Sequence, residues 1–129
     1  MSKNPESQIP DLVEKVVQGI EDVKGQNLTI LDLRDIENSV AEFFVICDAT
    51  SSTQANALSG SVEKVVRQEL GEKPWHVEGT QNAQWILMDY VSVVVHIFQK
   101  ETRDFYDIES LWGDAKEVAL ENLDITNGK

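Results

Sequence analysis

The sequence predicts an α+β protein in which helices pack on a mixed β-sheet of about five strands. The spacing of apolar residues predicts the element order α-β-β-α-β-β-β-α, which is typical of a sheet with helices packed on it. Residues 43–47 form an unbroken apolar run, as expected of a central strand that is covered on both faces. Residues 85–90 and 93–98 are strand-like and are separated by a very short link, which predicts an antiparallel hairpin.

An amphipathic helix is predicted near the start of the chain. Asp11 is its expected N-cap, and Glu14 follows at the spacing of a capping box. The expected buried stripe of this helix comprises Leu12, Val13, Val16, Val17, Ile20 and Val23. Gly25 is expected to end the helix, because glycine adopts the left-handed conformation at little cost. A strand is expected over residues 28–33, followed by a polar turn.

A longer helix is predicted to follow the central strand. Ser51 and Gln54 stand at capping-box spacing at its start, and Gly71 is expected at its end. Its expected inward side chains are Leu58, Val62, Val65 and Val66.

The second half of the chain predicts three strands and a short helix. Residues 74–78 predict a short strand ahead of the hairpin, and the hairpin turn at residues 91–92 lacks the residue types that favour tight turns. Residues 103–111 predict a short helix whose expected inward side chains are Phe105, Ile108 and Leu111. Beyond residue 112 the apolar spacing is weakly helical.

Length and composition predict one soluble globular domain. The 129 residues suffice for one core, and 41% hydrophobic with 26% charged residues is the balance of a folded protein, not of a disordered one. We expect a flexible N-terminus over residues 1–8, the folded domain over residues 9–114 and a C-terminal tail over residues 115–129.

The chain is acidic, with 11 Lys and Arg against 23 Asp and Glu and a net charge of −12. This charge disfavours binding to nucleic-acid phosphates or to an anionic membrane, and it favours a cationic protein as partner. Solubility alone also accounts for it and is the simpler interpretation. The chain has no run of about 20 apolar residues and no signal-like N-terminus, so a cytoplasmic protein is expected.

The residues predict no catalytic, metal or cofactor site. A single cysteine, Cys47, excludes an intramolecular disulfide and a multi-cysteine metal site. Cys47 and His96 both lie in predicted strands, where core packing is the more common role. His76 and Glu78 form an H-x-E pattern, but the cysteine pair that a zinc deaminase needs does not follow.

A nucleotidyltransferase-like enzyme is the catalytic alternative, because such enzymes share a mixed sheet of this kind. They need clustered carboxylates to hold two magnesium ions. The chain offers only two D-x-E pairs, at residues 35–37 and 107–109, and no glycine-rich phosphate loop. The second pair lies on a predicted helix, where residues two apart point in different directions.

Binding has better support. Trp85, Leu87 and Asp89 alternate on one face of a predicted strand, while the residues between them occupy the other face. A large rigid aromatic side chain beside a charge is typical of an interface hot spot. Core packing of Trp85 and Leu87 is the alternative, and the residues alone slightly favour it.

An ordered string of motifs in this chain resembles the ribosomal silencing factor family, RsfS, also called Iojap. In the first half the matching segments are residues 21–27, 31–33, 43–47 and 49–52. In the second half they are Val77-Glu78-Gly79, residues 85–90 and 93–98, Arg103-x-x-Tyr106 and residues 111–114. The resemblance extends over about residues 11–114 and rests on the order and spacing of the motifs together.

The resemblance implies a non-enzymatic repressor of translation. Proteins of this family bind ribosomal protein L-fourteen on the large subunit, at the face where the small subunit docks. Occupying that face blocks subunit joining when nutrients are limiting. The family fold resembles nucleotidyltransferases without their catalytic residues, needs no cofactor, and often forms homodimers.

The resemblance also implies a set of partner-binding residues. By motif, Trp85 is the apolar anchor, Leu87 its neighbour, and Asp89 a candidate partner for a Lys or Arg. Weaker candidates are Tyr90, Val94, His96 and Tyr106. The chain departs from the family at residues 91–92, where the family usually has Gly-Asp and this chain has Val-Ser. A generic homodimeric adaptor is a third hypothesis; it predicts self-association without a ribosomal partner.

Overall fold

A computed structural model describes residues 8–123 as a six-stranded mixed sheet with helices on both faces. The elements in order are α1 (Asp11–Asp22), β1 (Gln26–Asp32), β2 (Phe43–Ala49), α2 (Ser52–Leu70), β3 (His76–Glu78), β4 (Trp85–Asp89), β5 (Val93–Gln99), α3 (Lys100–Tyr106), α4 (Ile108–Leu111), β6 (Lys116–Glu117) and a 3₁₀ turn (Leu120–Asn122). The predicted α+β class is therefore confirmed, with a short sixth strand added. No helix within residues 8–123 is long and apolar enough to cross a membrane.

The sheet has the order β3-β4-β5-β2-β1-β6. β2 runs parallel to β5, and the other neighbouring strands are antiparallel. All seven residues of β2 are buried, which confirms the central strand expected from the unbroken apolar run. β4 and β5 form the expected antiparallel hairpin.

The main core lies between the sheet and the pair of long helices. α1 and α2 cover the face that carries Phe43, Val45 and Cys47 of β2. The two helices approach closely at Gly19, where a Cβ atom would stand 2.7 Å from the Cα atom of Val62. A side chain at that position would therefore separate the helices.

The start and end of α2 agree with the sequence. The Ser51 side chain accepts a hydrogen bond from the Gln54 backbone N–H at 3.0 Å, as a helix N-cap does. Gly71 ends the helix in the left-handed conformation, with φ 69°.

The start and end of α1 differ from the expectation. Pro10 occupies the N-cap position and Asp11 is the first helical residue, without a side-chain capping hydrogen bond. The left-handed residue at the other end is Lys24, with φ 64°, and Gly25 follows it. A Cβ atom on Gly25 would lie 2.6 Å from the Ile20 side chain, so the glycine is needed for close packing and not for its backbone conformation.

The helix expected over residues 103–111 is divided into α3 and α4. Asp107 between them is left-handed, with φ 47°, and interrupts the helical phase. Ile108 is buried as expected, but Phe105 and Leu111 are 79% and 77% exposed, so their predicted inward positions are wrong. Without a continuous helix, these three side chains no longer share one stripe.

The chain continues into the sheet beyond residue 114. β6 pairs with β1, and Val118 packs against the main core, so the weak helical spacing of this region corresponds to a strand and a turn. The N-terminus predicted over residues 1–8 lies outside the described residues except for Gln8, and residues 124–129 of the predicted tail also lie outside them.

The hairpin turn contains a strained valine, and this makes a test of stability possible. Val91 has φ 75°, and the Ser92 N–H donates to the Tyr90 carbonyl across it at 2.9 Å, which is the pattern of a γ-turn. A left-handed conformation is unfavourable for a β-branched residue by about 1–2 kcal/mol. We expect Val91→Gly to raise the free energy of unfolding by about 1 kcal/mol in urea denaturation, since the Val91 side chain is 63% exposed and packs little.

The matched control is Val40→Gly. Val40 is 70% exposed and does not have a positive φ, so glycine there only adds freedom to the unfolded chain and should lower stability. A lower denaturation midpoint for Val91→Gly than for the unaltered protein would contradict the expectation.

Candidate protein-binding surface

The face of the sheet opposite α1 and α2 carries the predicted binding residues. Cross-strand pairing places Trp85 opposite Phe98, Leu87 opposite His96 and Asp89 opposite Val94. Because directly opposite residues project from the same side of a sheet, these six side chains share one face. The pairing of β3 with β4 adds two more, because His76 lies opposite Asp89 and Glu78 opposite Leu87. We call this set of eight residues the Trp85 face.

This side of the sheet is only partly covered. Ile108 of α4 is buried against the strands nearer β1, and Trp112 packs edge-on against Phe44 of β2 with ring centroids 5.6 Å apart. Together with Leu31, Leu33, Ile46 and Phe98, these residues form a second, smaller core. Trp85 and Leu87, on the outer part of the sheet, pack against this second core but remain partly exposed. Their environment is therefore intermediate between a core and a free surface.

The Trp85 side chain is held from three directions. It stacks on Phe98 with ring centroids 4.9 Å apart, and the Tyr106 ring of α3 lies 4.9 Å from it on a tilted plane. Its indole N–H donates a hydrogen bond to Nδ1 of His96 at 3.1 Å. A partly exposed aromatic side chain that is already immobile loses little entropy on binding, as a hot-spot residue should.

Arg103 holds α3, and with it Tyr106, against the sheet. Its guanidinium donates to Asp48 of β2 at 2.8 Å, to both carboxylate oxygens of Glu109 at 3.1 and 2.8 Å, and to the Asn27 carbonyl at 2.7 Å. Burial alone would lower the pKa of Arg103, but the hydrogen bonds and charges of Glu109 and Asp48 raise it above its ordinary value. Within residues 8–123, the buried ion pair of Arg103 with Asp48 joins α3 to a side chain of β2.

His96 is a buried neutral histidine beneath Trp85. The side chain is 4% exposed, and burial lowers the pKa of its imidazole to about 4. Because an indole N–H can only donate, Nδ1 must accept, and the ring proton then lies on Nε2. Nε2 is buried and has no hydrogen-bond partner among the described residues.

The lowered pKa of His96 predicts a loss of stability in acid. Between pH 6.5 and about 4 the unfolded chain binds a proton at this residue that the folded chain does not, so the free energy of unfolding falls as pH falls through that range. We expect the histidine to account for a loss of about 3 kcal/mol by pH 4. The measurement is urea denaturation at a series of pH values, for the unaltered protein and for His96→Asn.

Asparagine does not titrate in this range, and its oxygen can take the position of Nδ1. The pH dependence of His96→Asn should therefore be shallower, with carboxylates contributing equally to both proteins. Parallel pH profiles would show that His96 is not the source of the acid sensitivity.

The structure brings together most of the predicted site residues, but not all. Trp85, Leu87, Asp89 and Tyr106 are partly or well exposed on one side of the sheet, whereas Val94 and His96 lie on the same side but are buried. Tyr90 lies on the opposite side, 5% exposed in the core under the long helices. The structure therefore removes Tyr90 from this surface, as the alternation along β4 requires.

Sequence reasoning missed three exposed residues at this surface. His76 and Glu78, whose H-x-E pattern lacks the cysteine pair of a zinc deaminase, approach each other to 2.6 Å beside Leu87 and Asp89. Phe105, expected to face inward, packs edge-on against Tyr106 with centroids 5.0 Å apart and extends the aromatic surface. Alternation on β3 could have found the first two residues, if the register of β3 with β4 had been known.

The geometry does not support the catalytic alternatives. Ile46 is the direct cross-strand partner of His96, so Cys47 projects from the other side of the sheet and cannot form a catalytic pair with it. Burial also raises the pKa of the Cys47 thiol to about 12. Of the D-x-E carboxylates, Glu109 binds Arg103 and Asp35 binds Lys116. No group of three or more His, Cys, Asp or Glu within residues 8–123 could hold a metal ion.

Comparisons with known proteins agree with this fold and identify the family. Residues 6–129 match the family model described as ribosomal silencing factor during starvation, RsfS. The chain is 37% identical over 113 residues to ribosomal silencing factor RsfS of Halalkalibacterium halodurans, a match that spans 88% of this chain and 95% of that protein. It is 30% identical over 102 residues to the chloroplastic protein Iojap of Zea mays, spanning 77% of this chain and 42% of that longer protein.

Solved structures give the same result. A crystal structure of a Chromobacterium violaceum protein superposes with a TM-score of 0.75 at 32% identity, covering 82% of this chain and 87% of the other. A Bacillus halodurans structure superposes with a TM-score of 0.74 at 34% identity, covering 85% and 98% of the two chains. The chain therefore belongs to the RsfS family of ribosomal silencing factors.

Proposed function

We propose that this protein represses translation by binding ribosomal protein L-fourteen on the large subunit through the Trp85 face, which blocks joining of the small subunit. Family membership supports a ribosome-associated silencing role. The observation that carries the binding site is the partly exposed pair Trp85 and Leu87 on an immobile sheet surface, with Asp89 and Glu78 beside them.

The anchor and its charged neighbours suit a basic protein as partner. Trp85 supplies a large apolar contact at low entropic cost, because Phe98 and Tyr106 already hold it. Asp89 and Glu78 can pair with Lys or Arg side chains around that contact. The net charge of −12 accelerates association with a cationic surface and disfavours contact with bare ribosomal RNA. The charge would therefore favour a basic ribosomal protein over RNA on the same particle.

The proposed mechanism is steric and needs no catalysis. A folded domain of 14.5 kDa bound at a subunit-joining face would occupy the space where contacts with the small subunit must form. The extent of repression then depends on the occupancy of that face, and so on the affinity and concentration of this protein.

Co-sedimentation with isolated ribosomal subunits tests the proposal. The purified protein should sediment with large subunits and not with small ones, and it should reduce the formation of joined ribosomes in proportion to its occupancy. Purified L-fourteen should bind the protein directly, and binding should weaken as salt is raised because the attraction is partly electrostatic.

Three results would contradict the proposal in different ways. Absence from the large-subunit fraction would exclude the ribosomal function. Sedimentation with large subunits without binding to purified L-fourteen would move the contact to another component. Self-association without binding to either subunit would favour the homodimeric adaptor.

A further inference from the structure

We infer that His96 is the positioning residue of Trp85, and that its buried imidazole serves partner binding at the expense of stability. This inference rests on the proposed function, because the binding role of Trp85 is part of it. The observations that carry it are the hydrogen bond from the Trp85 indole to His96 Nδ1 and the unpartnered Nε2 on the same ring.

The hydrogen bond determines which of two orientations the indole ring adopts, and the ring packing does not. Trp85 stacks on Phe98 at an interplanar angle of 29°. A stacked indole can be turned over about its Cβ–Cγ bond into the other allowed rotamer and still lie roughly in the same plane, so stacking leaves two orientations available. Only one of them places the indole N–H within reach of His96 Nδ1, at 3.1 Å. His96 therefore selects which edge of Trp85 a partner meets.

The same histidine is unfavourable for stability. Donation from Trp85 requires the ring proton on Nε2, which is buried without a hydrogen-bond partner among residues 8–123. A buried N–H that has lost water and gained no partner destabilises the folded state. The other close neighbours of the ring are Phe44, with centroids 4.6 Å apart, and Phe98, at 6.1 Å, and both would accommodate an apolar side chain.

A leucine at this position would therefore fill the space without the unpartnered group. Unlike leucine, histidine supplies an acceptor for the indole N–H of Trp85. Burial keeps the imidazole neutral at physiological pH, so that Nδ1 retains the lone pair that this hydrogen bond needs. A polar residue kept in an apolar site at a cost in stability is typical of functional positions.

Two variants separate the positioning role from a structural one. His96→Leu removes the acceptor and the unpartnered N–H together, whereas His96→Asn keeps an oxygen near the position of Nδ1 but leaves a cavity. We expect His96→Leu to be at least as stable as the unaltered protein in thermal unfolding, and His96→Asn to be less stable. Affinity for isolated large subunits should rank in the opposite order, with His96→Leu the weaker binder. We expect its affinity to fall by roughly tenfold, which is the largest effect expected when one side chain has to be immobilised on binding.

A readout on the free protein makes the result independent of the ribosome. The indole N–H signal of Trp85 in ¹⁵N NMR, assigned with Trp→Phe variants, should show slow exchange with water in the unaltered protein and in His96→Asn. In His96→Leu it should exchange quickly, because the indole has lost its acceptor.

The outcomes distinguish this inference from the proposed function. If the unaltered protein does not bind large subunits, the proposed function fails, and this role of His96 fails with it. If the unaltered protein binds and His96→Leu binds equally well, the inference alone is wrong. It is also wrong if His96→Leu is markedly less stable than the unaltered protein, or if the Trp85 indole signal is unchanged.

Discussion

Replacing Arg103 with alanine is expected to lower the free energy of unfolding by about 3–5 kcal/mol. Arg103 is 8% exposed, and it is the only cation that pairs with the buried carboxylate of Asp48 in the described structure. Without it, Asp48 keeps a hydrogen bond from the Asn27 side chain but lies buried with an uncompensated charge. The measurement is urea denaturation of the purified variant at neutral pH.

Lys100→Ala is the matched control in the same helix. Lys100 and Asp104 form an exposed i,i+4 ion pair at 3.2 Å, with side chains 69% and 66% accessible to solvent. Such a pair contributes about 0.3–0.5 kcal/mol, so the control should be nearly as stable as the unaltered protein. Similar losses for the two variants would show that the burial of the Arg103 pair has no energetic importance.

Replacing Trp85 with alanine is expected to weaken binding to large subunits by at least about 30-fold, which corresponds to roughly 2 kcal/mol. The variant loses the largest partly exposed side chain of the Trp85 face, together with the apolar contact that the proposal assigns to it. The measurement is equilibrium binding to isolated large subunits, with circular dichroism to show that the variant is folded.

Trp75→Ala is the control for this experiment. Trp75 is 81% exposed beside the same edge of the sheet, but it lies before the first residue of β3 and is not part of the Trp85 face. Its removal should leave affinity unchanged. Unchanged affinity in a folded Trp85→Ala would place the interface elsewhere, and unfolding of Trp85→Ala would assign the side chain to the core.

Local patterns predicted a large part of the architecture. The apolar run of β2 predicted a strand buried on both faces, and the Ser51 cap and Gly71 end of α2 lie where expected. These features depend on residues that are close in the sequence, so a single segment carries the necessary information. The division of the helix at Asp107 did not follow from local spacing, because the apolar pattern of residues 103–111 does not reveal the left-handed conformation of Asp107.

The candidate surface was predictable only in part. Alternation along β4 correctly placed Trp85, Leu87 and Asp89 together and Tyr90 on the other side. It did not reveal the neighbours supplied by other strands, because His76 and Glu78 join the surface through the register of β3 with β4. Tyr106 joins it through the ion pair that holds α3 against the sheet.

The amino-acid sequence by itself determined the α+β class and most of its strands and helices, which side chains share one side of a strand, and the negative charge that suits a cationic partner. Only the tertiary structure decided that β2 and β5 pair in parallel, which places Cys47 and His96 on opposite sides of the sheet, and that the short helices leave Trp85 partly exposed. Periodicity separates the two sides of a strand, but long-range packing selects which side the helices cover.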